Sequence, residues 1–132
     1  MIVVDASAIV EYVVRDPASP ELARRMFDGR LHAPHLIDVE VTHALRSLVA
    51  RGDLSGNRAS DARMDSSDLR IARYPHLPLL ARAWELRDTL SAYDAVYVAL
   101  AEILPAPLVT CDARLAKTSG HNAEIELFAP AT

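Results

Sequence analysis

Short β-branched runs alternate with helix-periodic stretches along the whole 132-residue chain, and two of those runs end on an aspartate. Ile2-Val3-Val4 is followed by Asp5, and Leu108-Val109-Thr110-Cys111 by Asp112. Strands that read as continuous apolar runs are buried on both faces, the pattern of a parallel sheet covered by helices. Strand–helix alternation of this kind implies a three-layer α/β/α sandwich with a mostly parallel sheet. In such a sheet the residues just beyond the carboxyl ends of the strands share a crevice.

The first strand leads into a helix that Asp16-Pro17 closes. Ser19-Pro20-Glu21 starts a second helix, with Ser19 as cap and Pro20 at the first helical position, and Gly29 ends it. Residues 31–33 form a second strand. Ile37, Val41, Ala44, Leu45 and Leu48 recur at helical spacing over residues 36–51, until Gly52 stops the run. Residues 55–67 are a polar helix whose mixed charges read as a solvated face. A third strand over 69–74 and a helix over 79–90 follow. The next helix, 92–104, is apolar nearly all round between 95 and 101 and is therefore central; Pro105 and Pro107 end it. A fourth strand, a short helix over 113–117, a turn at 119–122 and a last edge strand over 124–128 complete the pattern. No repeat, low-complexity tract or linker interrupts it, so residues 1–132 read as one domain.

The chain carries a formal charge of −4, which is not the profile of a typical nucleic-acid binder. Its 14 basic side chains are nevertheless all arginine except Lys117, and arginine is the better bidentate ligand for phosphate. A GC-rich coding sequence would enrich arginine equally. Cys111 is the only cysteine, which rules out an internal disulfide and suits a reducing compartment. The N-terminus has no basic segment ahead of an apolar stretch, and the longest apolar run, residues 95–101, is far below the ~20 residues that span a bilayer. A cytoplasmic location and no membrane partner are expected.

Four acids carry the functional reading: Asp5, Glu40, Asp94 and Asp112. Two follow strands, and two lie on helices beside them. Each also has a structural explanation. Asp5 or Ser7 can cap the first helix, Asp112 the short helix after it, and Ser91-Ala92-Tyr93-Asp94 resembles a capping box. Glu40 can be an ordinary solvated charge. Together they pose an electrostatic problem: two carboxylates about 5 Å apart at an effective dielectric of about 20 repel by roughly 3 kcal/mol. Four would approach the ~5–15 kcal/mol that stabilises a domain. Crowded carboxylates either protonate or bind cations, and an all-oxygen donor set favours Mg²⁺ or Mn²⁺. The five histidines have no metal-ligand spacing and read as surface or capping groups; Cys111 reads as a small buried side chain. Thr110 can hydrogen-bond a ligating carboxylate, while Tyr93, Tyr97 and Trp84 read as core.

Four segments in this order resemble the PIN-domain proteins, specifically the VapC toxins of toxin–antitoxin pairs. They are Asp5-x-Ser7 after the first strand, Glu-Val-x-x-Ala-Leu over residues 40–45, Tyr-Asp-Ala-x-Tyr-x-Ala-Leu-Ala over 93–101, and Val-Thr-x-Asp-x-Arg-Leu over 109–115. The resemblance runs end to end. It implies a sheet of order 3-2-1-4-5 and a metal-dependent endoribonuclease that inhibits translation by cutting tRNA or rRNA. Asp5, Glu40, Asp94 and Asp112 would then bind Mg²⁺ or Mn²⁺, supported by Ser7 and Thr110. It further implies a cognate VapB-type antitoxin and a homodimer. Two other classes remain open from sequence: a catalytically inert PIN-fold binding module, and a Mg²⁺-binding phosphoacceptor domain. The second should carry paired acids after the first strand, where this chain has only Asp5.

Overall fold

A computed structural model describes residues 1–15 and 18–130. Its sheet is built from β1 (Ile2–Val4), β2 (Leu31–Pro34), β3 (Ile71–Tyr74), β4 (Leu108–Thr110) and β5 (Ile125–Leu127), in the order β3-β2-β1-β4-β5. All four pairings are parallel, so the sheet has none of the antiparallel admixture that the sequence left open. The expected order 3-2-1-4-5 is the observed one. The helices are α1 (Ala6–Val14), α2 (Pro20–Asp28), α3 (Leu36–Ala50), α4 (Gly56–Asp68), α5 (Leu80–Glu85), α6 (Ala92–Ile103) and α7 (Ala113–Ala116).

Every residue of β1 and β4 is fully buried, which a parallel sheet achieves only when helices cover both faces. Helix α6 packs against β1, β2 and β4, with α5 beside it. Its buried run from Ala95 to Ala101 includes three alanines, which let the helix lie close to the strands. Helix α1 packs against β4, α3 and α4. The edge strands are only partly buried and carry paired charges: Arg73 of β3 forks onto Asp38 at 2.7 and 2.8 Å, and Glu126 of β5 accepts a fork from Arg25 at 2.8 and 3.0 Å. Charged edges of this kind discourage pairing with another sheet.

The expected helix over 79–90 is shorter in the structure. A 3-10 turn, Leu77–Leu79, precedes α5, and residues 86–90 continue as turns. There the Thr89 hydroxyl donates to the Ser119 carbonyl at 3.0 Å, a tertiary bond that competes with helix continuation at a residue of weak helix propensity. The expected end of the first helix at Asp16-Pro17 lies outside the described residues. Two further expectations are corrected. Trp84 and Tyr93 do not join the core; they are 68% and 60% exposed. His32 is a half-buried strand residue whose Nδ1 lies 2.6 Å from the Tyr74 hydroxyl, rather than a surface or capping group. Among the described residues no helix is long and apolar enough to cross a membrane.

Candidate active site at the carboxyl edge of the sheet

Strand β1 has β2 on one side and β4 on the other, so the chain reverses its direction of sheet growth between β1 and β4. A crevice opens at such a reversal, outside the carboxyl ends of the strands. Val4 pairs with Val109, and Asp5 and Asp112 follow the two strands at that edge. Helix α3 begins there because it follows β2. Helix α6 begins there because a helix that leads into a parallel strand runs back against it. Glu40 and Asp94 therefore arrive at the same edge near helix N-termini, where the backbone dipole favours negative charge.

Three of the four acids double as caps or sit within one. Asp5 caps α1 and accepts from the Ala8 amide at 3.0 Å; Asp112 caps α7 and accepts from the Arg114 amide at 2.9 Å. The Ser91 hydroxyl accepts from the Asp94 amide at 3.2 Å. Capping and site chemistry thus use the same residues, because a helix start at the crevice serves both.

Asp5 is 7% exposed and is held from three directions. The Ser7 hydroxyl donates to its Oδ1 at 2.7 Å, and the Thr110 hydroxyl to its Oδ2 at 2.5 Å. Each of those hydroxyls also accepts from β4 and its sequel: Ser7 from the Cys111 amide at 2.9 Å, Thr110 from the Asp112 amide at 3.0 Å. Ser7 and Thr110, expected as supporting residues, therefore lock Asp5 to the end of β4. Burial nevertheless outweighs these bonds and raises the pKa of Asp5, with the charge on Asp94 adding to the rise.

Glu40 shares the same problem. Burial pushes its pKa up, and the charges of Asp94 and Asp5 push it further, while Tyr97 partly offsets them. The buried Glu40 Oε1 and Tyr97 hydroxyl face the same space, yet neither makes a hydrogen bond of regular geometry. Tyr97, read from sequence only as core, is thus also the polar neighbour of Glu40. The signal was its position three residues after Asp94, on the same face of α6.

Asp112 joins the cluster through an arginine. Arg114 Nη2 lies 3.3 Å from Asp94 Oδ2 and 3.1 Å from Asp112 Oδ2. From sequence this arginine stood only as part of the Val-Thr-x-Asp-x-Arg-Leu segment and was given no role, although it lies two positions after Asp112. The half-buried Cys111 thiol is pushed up to about 12, chiefly by burial, in keeping with a packing role.

Asp5, Glu40 and Asp94 are mutually coupled, and Asp112 is tied to Asp94. As they stand, no three His, Cys, Asp or Glu side chains among the described residues close around a common point where a metal ion could sit. The donor set still fits a hard divalent cation. It is oxygen-only, Asp5 and Glu40 are partly or wholly desolvated, and Glu40 Oε1 is buried without a partner.

Comparison with known proteins agrees with the fold. The PIN domain family model matches residues 2–121. Ribonuclease VapC12 of Mycobacterium tuberculosis (strain ATCC 25618 / H37Rv) is 46% identical over 129 residues, 98% of this chain and 100% of that protein. VapC ribonuclease Mb0985 of Mycobacterium bovis is 45% identical over 118 residues, 89% of this chain and 91% of its own. Among solved structures, PAE2754 from Pyrobaculum aerophilum superposes with a TM-score of 0.67 at 28% identity, covering 94% of this chain and 82% of that one. VapBC2 from Rickettsia felis, bound to a DNA fragment from its promoter, superposes with a TM-score of 0.64 at 14% identity, over 96% and 98% of the two chains, and shows the shared fold. From the strand order, the acids at the switch point and these relatives together, the chain belongs to the PIN domain family, in its VapC branch.

Proposed function

We propose that this chain is the toxin of a toxin–antitoxin pair: an endoribonuclease that hydrolyses phosphodiester bonds of tRNA or rRNA in the cytoplasm and so inhibits translation. The observation that carries this reading is the crowding of Asp5, Glu40 and Asp94, where the buried Asp5 and the half-buried Glu40 lie beside a further carboxylate and have no arginine or lysine of their own. Such a site is poorly stable alone and well suited to a divalent cation. The names of the VapC ribonuclease relatives support the reaction class.

Asp5, Glu40, Asp94 and Asp112 would hold Mg²⁺ or Mn²⁺. What the ion supplies is Lewis-acid stabilisation of charge on the phosphate and on the leaving 3′ oxygen. The remaining work belongs to the chain. Ser7 and Thr110 fix the orientation of Asp5, Tyr97 closes the inner wall behind Glu40, and the capped helix starts hold Asp94 and Asp112 at the rim. In the hydrolysis, a water oxygen bonds to phosphorus as the bond to the 3′ oxygen breaks, and a proton ends on that oxygen. The products are a 5′ phosphate and a 3′ hydroxyl.

The test is cleavage of total RNA by wild type and by Asp5→Asn and Asp94→Asn proteins with Mg²⁺ present, read by sequencing 5′-phosphate ends. Both substitutions preserve size and remove one charge, so cleavage should vanish while the fold persists. Wild-type rates in both variants would refute the site. An inert binding module predicts no cleavage by any of the three proteins.

Two partners complete the proposal. A VapB-type antitoxin would silence the site by presenting an arginine or lysine to the carboxylates, which any tightly held positive group would relieve. Its binding should weaken as Mg²⁺ is raised, and affinity indifferent to both Mg²⁺ and Asp94→Asn would exclude that mode. A homodimer is supported by Leu77, Leu80 and Trp84, exposed at helical spacing along one side of α5 and the turn before it. Light scattering should give a dimer mass at tens of micromolar; a monomer there, with Trp84→Glu making no difference, would contradict it.

A further inference from the structure

The carboxylate cluster already contains one cation, and its bonding differs from that of every other well-paired arginine in the fold. Arg25, Arg73 and Arg82 each fork onto one carboxylate with Nε and Nη2 together, at 2.7 to 3.0 Å, and Arg82 adds Glu85 through Nη1 at 2.9 Å. Arg114 instead divides one nitrogen, Nη2, between Asp94 at 3.3 Å and Asp112 at 3.1 Å. Its Nε and Nη1 have no partner among the described residues, and its side chain is 74% exposed. The guanidinium is thus held through one nitrogen only, while the backbone of the residue is fixed by the Arg114 amide donating to Asp112 Oδ1 at 2.9 Å. No packing or bidentate geometry holds the head in place. An exposed pair of this kind is weak and readily exchanged, whereas a planar fork with free N–H groups is well matched to a phosphate.

We infer that Arg114 is the resident counter-cation of the cluster: it screens Asp94 and Asp112 until a divalent cation displaces it, and the freed guanidinium then binds a backbone phosphate of the RNA. This inference rests on the reading of the site as a divalent-cation site. It makes Arg114 a substrate-binding residue. Exchange of one cation for another keeps Asp94 and Asp112 at least partly screened in both states, so neither state has to carry their full repulsion. The displaced fork would remain tethered to α7, at the rim where a phosphate has to enter.

The experiment measures Mn²⁺ binding to the full-length protein by electron paramagnetic resonance, for wild type, Arg114→Met and Arg114→Lys. RNA cleavage is then measured at saturating Mn²⁺. Removing the competing cation should tighten Mn²⁺ binding about three- to tenfold in Arg114→Met, given the modest strength of exposed ion pairs. Arg114→Lys should fall between, because a point charge still competes but lacks the fork. With the metal saturating in all three, KM for RNA should rise severalfold in Arg114→Met while kcat stays within about twofold, the pattern of lost uniform binding. Equal or weaker Mn²⁺ binding by Arg114→Met would overturn the exchange while leaving the metal site standing. An unchanged KM would overturn the phosphate role. Failure of wild type and variants alike to bind Mn²⁺ would remove the divalent-cation reading together with this inference.

Discussion

Helix α6 carries an acid near each end, and the two ends treat their acids in opposite ways. Near its C-terminus, Glu102 is clamped by Arg82 at 2.9 and 3.0 Å and accepts from the Asn122 amide at 2.8 Å. The Arg82 guanidinium holds the Glu102 carboxyl below the usual carboxylate range. At its N-terminus, Asp94 faces Asp5 and Glu40, whose carboxyls burial drives above that range, and Asp94 itself has only the loosely held Arg114, which it shares with Asp112. An acid that serves the fold receives its own bidentate cation and backbone donors. The acids at the crevice are left under-compensated, which costs stability and, under the proposed function, is what an external cation would relieve.

The sharpest way to break this contrast is to neutralise one acid from each end. Asp94→Asn should reduce RNA cleavage by at least about a hundredfold, beyond the loss typical of groups that only support metal ligands. The melting temperature of its metal-free form should hold or rise, because repulsion with Asp5 and Glu40 is relieved. Glu102→Gln should leave cleavage within about twofold and lower the melting temperature by about 2–5 °C, the scale of one lost interaction in a domain of this size. If the two variants behave alike, the distinction between the ends of α6 is wrong.

Thr110→Val probes the support beneath Asp5. The substitution keeps the shape but removes the donor to Asp5 Oδ2 and the acceptor for the Asp112 amide, both buried or partly so. Cleavage should fall by about tenfold or more, and stability by about 1–3 kcal/mol for the polar groups left unpaired. Unchanged cleavage would show that Asp5 is oriented well enough by Ser7 and the Ala8 amide alone.

The pH dependence separates the two ends by sign. Asp5 and Glu40 have folded-state pKa values raised above 3.8 and 4.5, so their stabilising contribution is complete below those values and is lost as pH rises through the folded ones. Glu102 is lowered below 4.5, so it contributes above that value and its share is lost as pH falls through the folded one. Because a cation requires deprotonated ligands, the Mn²⁺-induced rise in melting temperature should be larger at about pH 8 than at about pH 5. Asp5→Asn should shrink that rise, and Glu102→Gln should preserve it. A rise independent of pH would disconnect the raised carboxyls from metal binding.

The smallest effect belongs to Cys111. With its thiol pushed up to about 12, scarcely any thiolate exists at neutral pH. Iodoacetamide at pH 7 should leave both the cysteine and RNA cleavage intact, as mass spectrometry and the cleavage assay would show. Rapid alkylation with loss of cleavage would place the thiol in the chemistry.

Much of this architecture was legible without coordinates. The two strands that end on Asp5 and Asp112 are uninterrupted apolar runs, and such runs require cover on both faces, hence helices and a parallel sheet. Cap signals placed two helix starts well, because Ser19 and Ser91 each accept a bond from the amide three residues on. Where the reading failed, long-range contacts decided. The helix expected over 79–90 gives way to turns where Thr89 bonds Ser119, and Trp84 and Tyr93 are exposed because core membership depends on what packs opposite.

The sequence by itself determined which residue types reach the crevice, because strand ends and helix starts are local properties written in short windows of chain. What only the tertiary structure decided is the electrostatic state of those residues. Tyr97 beside Glu40, Arg114 between Asp94 and Asp112, and the hydroxyls of Ser7 and Thr110 turned onto Asp5 join elements up to 105 positions apart. Burial and charge act through space, and a one-dimensional pattern does not record the distance or the solvent between two side chains.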